Sequence, residues 1–241
     1  MRVGRYLEAA DQHTRGRLRE RRWRTDARAF YAPFTSNGDL VFDVGANLGS
    51  RAAVFLDLGA RVVAVEPQPK LAARIRRRFG SRVCVEEVAL GAEPGRAALR
   101  LAAAHTIASL SDDWVAAVRS SGRFAEYDWA GEVDVEVSTL DALIARHGEP
   151  VFVKVDVEGF EPQVLAGLSA AVRGLSFEFT PELATNAEAC IARLAELGPY
   201  EFNFVRGLEL ELVWPDWIDE RGVIARLAGE DWGDVYARAR R

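Results

Sequence analysis

Lysine is almost absent from this chain: Lys70 and Lys154 are the only ones among 31 basic side chains. Cysteine is limited to Cys84 and Cys190, and histidine to His13, His105 and His147. With no C-x-x-C pair and widely spaced histidines, nothing in the pattern builds a zinc site or a disulfide framework. Cys84 lies in an apolar strand-like run and Cys190 on an apolar helical face, so both read as core thiols. His147, followed by Gly148, reads as a cation at a helix C-terminus. Long apolar runs are missing too. None approaches the roughly 18 residues of a membrane span, and the N-terminus has no apolar segment followed by a small-residue cleavage site. The expectation is a soluble, cytoplasmic protein with no transmembrane segment.

Positive charge is short as well, and unevenly placed. Residues 1–28 carry nine Arg against four acids, while the rest of the chain holds 22 basic against 32 acidic residues. An acidic body excludes nucleic acid as a partner, because binding its backbone depends on cationic contacts. The basic arm reads as a solvated helical face.

What is present is the alternation of an α/β domain. At 241 residues and 49% hydrophobic content the chain can bury one substantial core. Residues 1–36 read as a basic helical arm and 37–215 as the main domain. Strand Leu40–Val44, a helix from Gly49, strand Val62–Glu66, a helix carrying Leu71, Ile75 and Phe79, and a strand from Val83 to Ala89 imply parallel βαβ units. An insertion over 91–137 breaks this rhythm, with Ala97–Leu101 and Val133–Val137 as extra strands, and is the place for specificity or a lid. Ser138-Thr139-Leu140-Asp141 resembles a helix cap. Strand Val151–Val157 follows, then a helix opened by Glu161-Pro162, strand Leu175–Phe179, and a helix from Thr180-Pro181. Phe202–Val205 and Leu208–Val213 suggest a closing antiparallel hairpin. Residues 216–241 read as a helical tail containing Trp217 and Trp232. The arm and this tail are the candidate surfaces for a homo-oligomer.

Two stretches carry chemistry. In LVFDVGANLGS, residues 40–50, a strand ends in Asp43 and turns through Gly45, Asn47 and Gly49 into a helix, where backbone can approach a ligand. Glu66 ends the next strand, where a carboxylate can grip ribose hydroxyls. The glycine spacing is not G-x-G-x-x-G, and Asp43 would repel a pyrophosphate. An ammonium and a sulfonium suit it, as in S-adenosylmethionine. The second stretch, VKVDVEGFE at 153–161, places four charges in a strand of alternating valines. Burying charge is costly without partners, so the strand reads as ending at a working site.

LVFDVGANLGS, VVAVEPQPK, VEEVALG, VSTLDAL, VFVKVDVEGFEPQVLAGL and LSFEF, in this order, resemble the FkbM family of S-adenosylmethionine-dependent methyltransferases. The resemblance runs from about Asn37 to Glu182, and K-x-D-V-E-G-x-E after S-T-L-D is its most specific part. It implies a Rossmann-like class I methyltransferase fold, with a mostly parallel seven-stranded sheet covered by helices on both faces. It also implies methylation of a hydroxyl oxygen on a small molecule such as a sugar, glycolipid or secondary metabolite. By position, Asp43, Gly45, Asn47 and Gly49 would surround the methionine part of the cofactor, Glu66 its ribose, and Glu87 to Ala89 its adenine.

Methyl transfer is an in-line displacement that needs a positioned acceptor and a proton acceptor rather than a covalent nucleophile. Period two puts Phe152, Lys154, Asp156 and Glu158 on one strand face. Asp156 is the candidate to orient or deprotonate the acceptor hydroxyl, supported by Glu158, with Lys154 keeping the carboxylates charged. Glu161 and Glu178 are candidates for substrate hydroxyls, and His105 and Ser109 for the acceptor side. Clustered carboxylates permit a divalent cation, but no dedicated ligand spacing calls for one. An NAD-dependent oxidoreductase and a non-catalytic methyltransferase-like binding or scaffold protein are the alternatives.

Overall fold

The computed structural model describes residues 21–102, 108–111 and 129–240. Residues 1–20 of the expected arm, and His105 with most of the insertion's loop, lie outside the described residues.

Strands β1 (Leu40–Val44), β2 (Arg61–Val65), β8 (Phe152–Val155) and β9 (Gly174–Phe179) are short, rich in valine and phenylalanine, and almost wholly buried. Such continuous apolar runs mark parallel strands covered on both faces. With β3 (Val83–Glu86), β10 (Tyr200–Arg206) and β11 (Gly233–Ala239) they form a seven-stranded sheet in the order β10-β11-β9-β8-β1-β2-β3. β11 runs antiparallel to both of its neighbours. One core cluster packs helices 140–147, 161–166, 184–197 and 220–227 onto one face of the sheet. The opposite cluster holds helices 21–31, 50–57 and 69–79.

A second sheet, in the order β4-β7-β5-β6, comes from the insertion and its flanks. It consists of β4 (Ala89–Leu90), β5 (Gly95–Ala102), β6 (Ala108–Ser109) and β7 (Trp129–Ser138). The two expected insertion strands are thus present and pair with one another. Thr139 caps the next helix, its hydroxyl accepting from the Ala142 N–H at 3.1 Å.

The C-terminal region departs from expectation. Residues 216–241 are not a helical tail: a helix at Glu220–Leu227 leads into β11, which inserts between β9 and β10. The antiparallel partner of β10 is β11 and not 208–213. Residues 208–213 form no strand; Leu210 and Leu212 pack on the core while Val213 N–H donates to Phe204. The reason is sequence distance, since β11 finds both its partners far back in the chain and local periodicity carries no trace of that pairing. The tryptophans of this region turn inward: Trp214 stacks on Phe204, Trp217 meets Phe34, and Trp232 donates to Glu178. The described end of the arm is also docked, with Ala27 and Tyr31 fully buried.

Candidate active site

Two loops leave adjacent parallel strands at the carboxyl edge of the large sheet. The first follows β1. Gly45 has φ 77°, and a Cβ there would lie 1.8 Å from the carbonyl oxygen of Asp156, so only glycine lets the two strand ends meet. The N–H groups of Gly45 and Ala46 both donate to Val65 O. Asn47, itself at φ 53°, donates its N–H to Glu66 Oε2 at 2.8 Å, and Gln68 N–H donates to Glu66 Oε1 at 2.9 Å. Burial raises the Glu66 pKa against these two bonds. At Gly49 a Cβ would sit 2.6 Å from the Phe79 ring, so glycine there lets the loop pack against helix 69–79.

The second loop follows β8. Lys154 is only 2% exposed, and its Nζ donates to Asp156 Oδ2 at 2.7 Å, while the Asp156 side chain is 43% exposed. Burial works against both charges. It is outweighed for Lys154 by Asp156 and Asp234, which raise its pKa, and for Asp156 by Lys154, which keeps it below the usual carboxylate range. The strand register sets Asp43, Lys154, Ser176 and Tyr236 side by side across four strands, with Glu178 and Asp234 paired one step beyond. A polar row therefore runs across the sheet near its carboxyl edge.

Alternation stops after Asp156. Glu158 adopts φ 55° in a turn, so the expected single face of Phe152, Lys154, Asp156 and Glu158 does not extend to Glu158. Its carbonyl accepts from Ser109 Oγ at 2.6 Å. Ser109 is fully buried and tied up in this contact, away from an acceptor-facing role. Glu161 is also buried, and its Oε1 accepts from the N–H groups of Val157 at 3.1 Å and Gly159 at 3.2 Å. It staples its own loop. Burial lifts the pKa of Glu161 to about 7 and those of Glu158 and Glu178 well above the normal range. Glu178 accepts from Trp232 Nε1 at 2.9 Å.

Two clefts meet at this edge. One is lined by Gly45, Asn47, Glu66, Gln68, Ala89 and Asp156, and is roofed by Leu99, Ala108 and Leu110 of the insertion. The other is lined by Trp23, Asp43, Arg51, Lys154, Asp156 and Leu208, together with the 45–48 loop. Gly45, Asn47 and Asp156 border both. Glu87 does not line the first cleft; it is paired with Arg76. Sequence reasoning did not single out Arg51, on the helix that follows the glycine turn, nor Trp23, Asp234 and Tyr236, which reach the site only through the docking of helix 21–31 and the insertion of β11.

Among the described residues one group of donors lies close enough to share an ion: Cys84, Glu86 and His147, whose ligand atoms are within 4.8 Å of one another. Cys84 is exposed rather than a core thiol, because β3 is the sheet's edge strand. His147 bonds Glu86 at 2.7 Å, and Arg146 pairs with the same carboxylate. This group belongs to the β3 edge and not to the carboxylates around Asp156.

A seven-stranded sheet with one antiparallel strand beside its edge, Asp43 near the end of β1 with a glycine turn after it, and a carboxylate after β2 make a Rossmann-like α/β fold with a ligand cleft at the carboxyl edge of its strands. The methyltransferase FkbM domain model matches residues 43–206, and the chain belongs to that family. No curated protein matches it. Among solved structures it is similar to a TehB-like SAM-dependent methyltransferase from Corynebacterium glutamicum, at 11% identity and TM-score 0.49, covering 96% of this chain and 100% of that one. A precorrin-6y C5,15-methyltransferase from Geobacter metallireducens aligns at 10% identity and TM-score 0.48, over 90% of this chain and 86% of that one. A predicted O-methyltransferase from Agrobacterium tumefaciens aligns at 15% identity and TM-score 0.45, over 88% and 79%. Family membership displaces the nicotinamide reading and implies S-adenosylmethionine as methyl donor. The residues fit that molecule: Asp43 is 2% exposed and its Oδ2 has no hydrogen-bond partner among the described residues, as a site for an ammonium requires.

Proposed function

We propose that this chain methylates a hydroxyl oxygen of a small molecule, with the transfer point at Asp156. The observation that carries the reading is that Asp156 borders both clefts while Lys154 holds its carboxylate ionised. The first cleft would take the adenosine part, with Glu66 on the ribose hydroxyls and the Val88–Leu90 segment beside the adenine. The cofactor would supply an electrophilic methyl on a cationic sulfur.

The chain's own task is then to hold the acceptor oxygen in line and remove its proton. Asp156 accepts the hydroxyl's hydrogen bond. A carboxylate of lowered pKa is a weak base, but the proton becomes acidic as the new C–O bond forms, so the transfer is downhill at that stage. Lys154 compensates the charge of Asp156 before the proton moves. Burial and repulsion from neighbouring carboxylates push the pKa values of Glu158 and Glu178 well above the usual carboxylate range, which lessens the charge they set against the ionised group. Glu161 stays structural. The acceptor class follows the family resemblance: a sugar, glycolipid or secondary metabolite.

The test is incubation of the full chain with isotopically labelled S-adenosylmethionine and small-molecule extracts, with mass spectrometry of the labelled products. An O-methyl product is expected. Asp156→Asn is expected to slow turnover about 10²- to 10⁴-fold, the usual worth of a positioned base, while binding S-adenosylhomocysteine normally. Full turnover in that variant would remove Asp156 from the chemistry.

A further inference from the structure

The second cleft contains two groups of opposite charge, Asp43 buried and Arg51 partly buried, with unmet hydrogen-bonding capacity. Among the described residues neither Arg51 Nη1 nor Asp43 Oδ2 has a partner. Burial raises the Asp43 pKa to about 6, against the pull of Lys154 and, after it, of Arg51, which is near enough to contribute. The other cation of the cleft, Lys154, is already committed to Asp156. A buried polar atom without a hydrogen bond is costly, and a site offering one such atom of each sign matches a ligand end that also carries both charges. A phosphate or a simple carboxylate would satisfy Arg51 and leave Asp43 facing an anion.

Arg51 is also held in place. Its Cζ sits 4.7 Å from the centroid of the Trp23 ring and 5.9 Å from that of Tyr31, both on helix 21–31. Arg24 on the same helix pairs with Asp57, which clamps helix 21–31 to helix 50–57, the helix that carries Arg51. Gly45 and Asn47 border both clefts, so a molecule with its adenosine beside Glu66 can cross the glycine turn into the second cleft.

We propose that Arg51 binds the α-carboxylate of the cofactor's amino-acid end while Asp43 takes the ammonium, and that Trp23 is the positioning residue that keeps the guanidinium in reach. This rests on the cofactor reading above and extends it to a residue of helix 50–57 and to the end of the N-terminal arm.

The experiment is calorimetric titration of the full chain with two ligands: S-adenosylhomocysteine, and 5′-methylthioadenosine, which keeps the adenosine and thioether but lacks the amino-acid end. Arg51→Gln is expected to weaken S-adenosylhomocysteine about 10- to 100-fold, as loss of a charge-assisted hydrogen bond does. Methylthioadenosine should be held within about twofold, which also reports that the variant is folded. Arg51→Lys should recover part of the loss, and Trp23→Leu should show a smaller loss with the same selectivity. Unchanged S-adenosylhomocysteine affinity in Arg51→Gln, or equal losses for both ligands, overturns the assignment. Wild-type protein that binds neither ligand overturns the cofactor reading itself, a separate and recognisable failure.

Discussion

The loop after β1 and the loop after β8 start side by side and each contains one non-glycine residue at positive φ, Asn47 and Glu158. They are stabilised in opposite ways. The first is held from outside, by Val65 O, by Glu66 and by Arg78 on Leu48 O, and its own side chains are small. The second is held largely from within, by Glu161 reaching back to Val157 and Gly159, with Ser109 and Asn186 bonding the carbonyls of Glu158 and Gly159. The first loop is a floor that leaves room for a ligand. The second fixes one exposed carboxylate, Asp156, beside acids that are occupied by backbone N–H groups or have raised pKa values. A site needs both, since binding and proton removal impose different demands on the backbone.

The sharpest way to break this pairing is at the point where the loops touch. Gly45→Ala puts a methyl group onto the Asp156 carbonyl and forces an L-residue to positive φ. A destabilisation of about 3 kcal/mol or more is expected from combined overpacking and backbone strain, read by denaturant unfolding, with loss of S-adenosylhomocysteine binding. Wild-type stability in this variant would mean that the loops do not depend on each other.

Glu161→Gln tests self-stapling. The folded pKa of Glu161 is raised to about 7 from 4.5, so the folded state binds the extra proton between those values and wild-type stability falls as pH rises through that window. Gln keeps the acceptor oxygen without the titration. Relative to wild type, the variant is expected to gain on the order of 3 kcal/mol between pH 4.5 and 8. A pH-independent difference between the two unfolding curves would remove Glu161 as the titrating staple.

The smallest effect belongs to the link with the insertion. Ser109→Ala removes the buried hydrogen bond to Glu158 O, together with the one that Ser109 Oγ accepts from the Ser111 N–H. It should cost about 1 kcal/mol of stability, with turnover reduced more than cofactor affinity, because the contact is to the Asp156 loop and not to the glycine turn. Equal loss in both would make the insertion a support for the whole cleft.

Much of this was legible in the chain. Alternating strand and helix patterns located β1, β2, β8 and β9, and the glycine turn with Glu66 pointed to residues that line the first cleft, because those features are local in sequence. Lys154 as the partner of Asp156 was readable from the scarcity of lysine and the two-residue period of the strand. Glu87 misled because its neighbours Val88 to Leu90 line the cleft while it pairs with Arg76. Glu161 misled because an acid in a motif does not reveal whether it faces a ligand or its own backbone.

The sequence alone determined the parallel sheet, its family and the carboxyl-edge position of the charges, since periodicity and motif spacing act over a few residues. Only the tertiary structure decided that β11 completes the sheet, that Arg51 and Trp23 enter the second cleft, and which acids have raised pKa values. Pairing across a long stretch of chain and the desolvation of a carboxyl group depend on neighbours distant in sequence, and no local pattern encodes them.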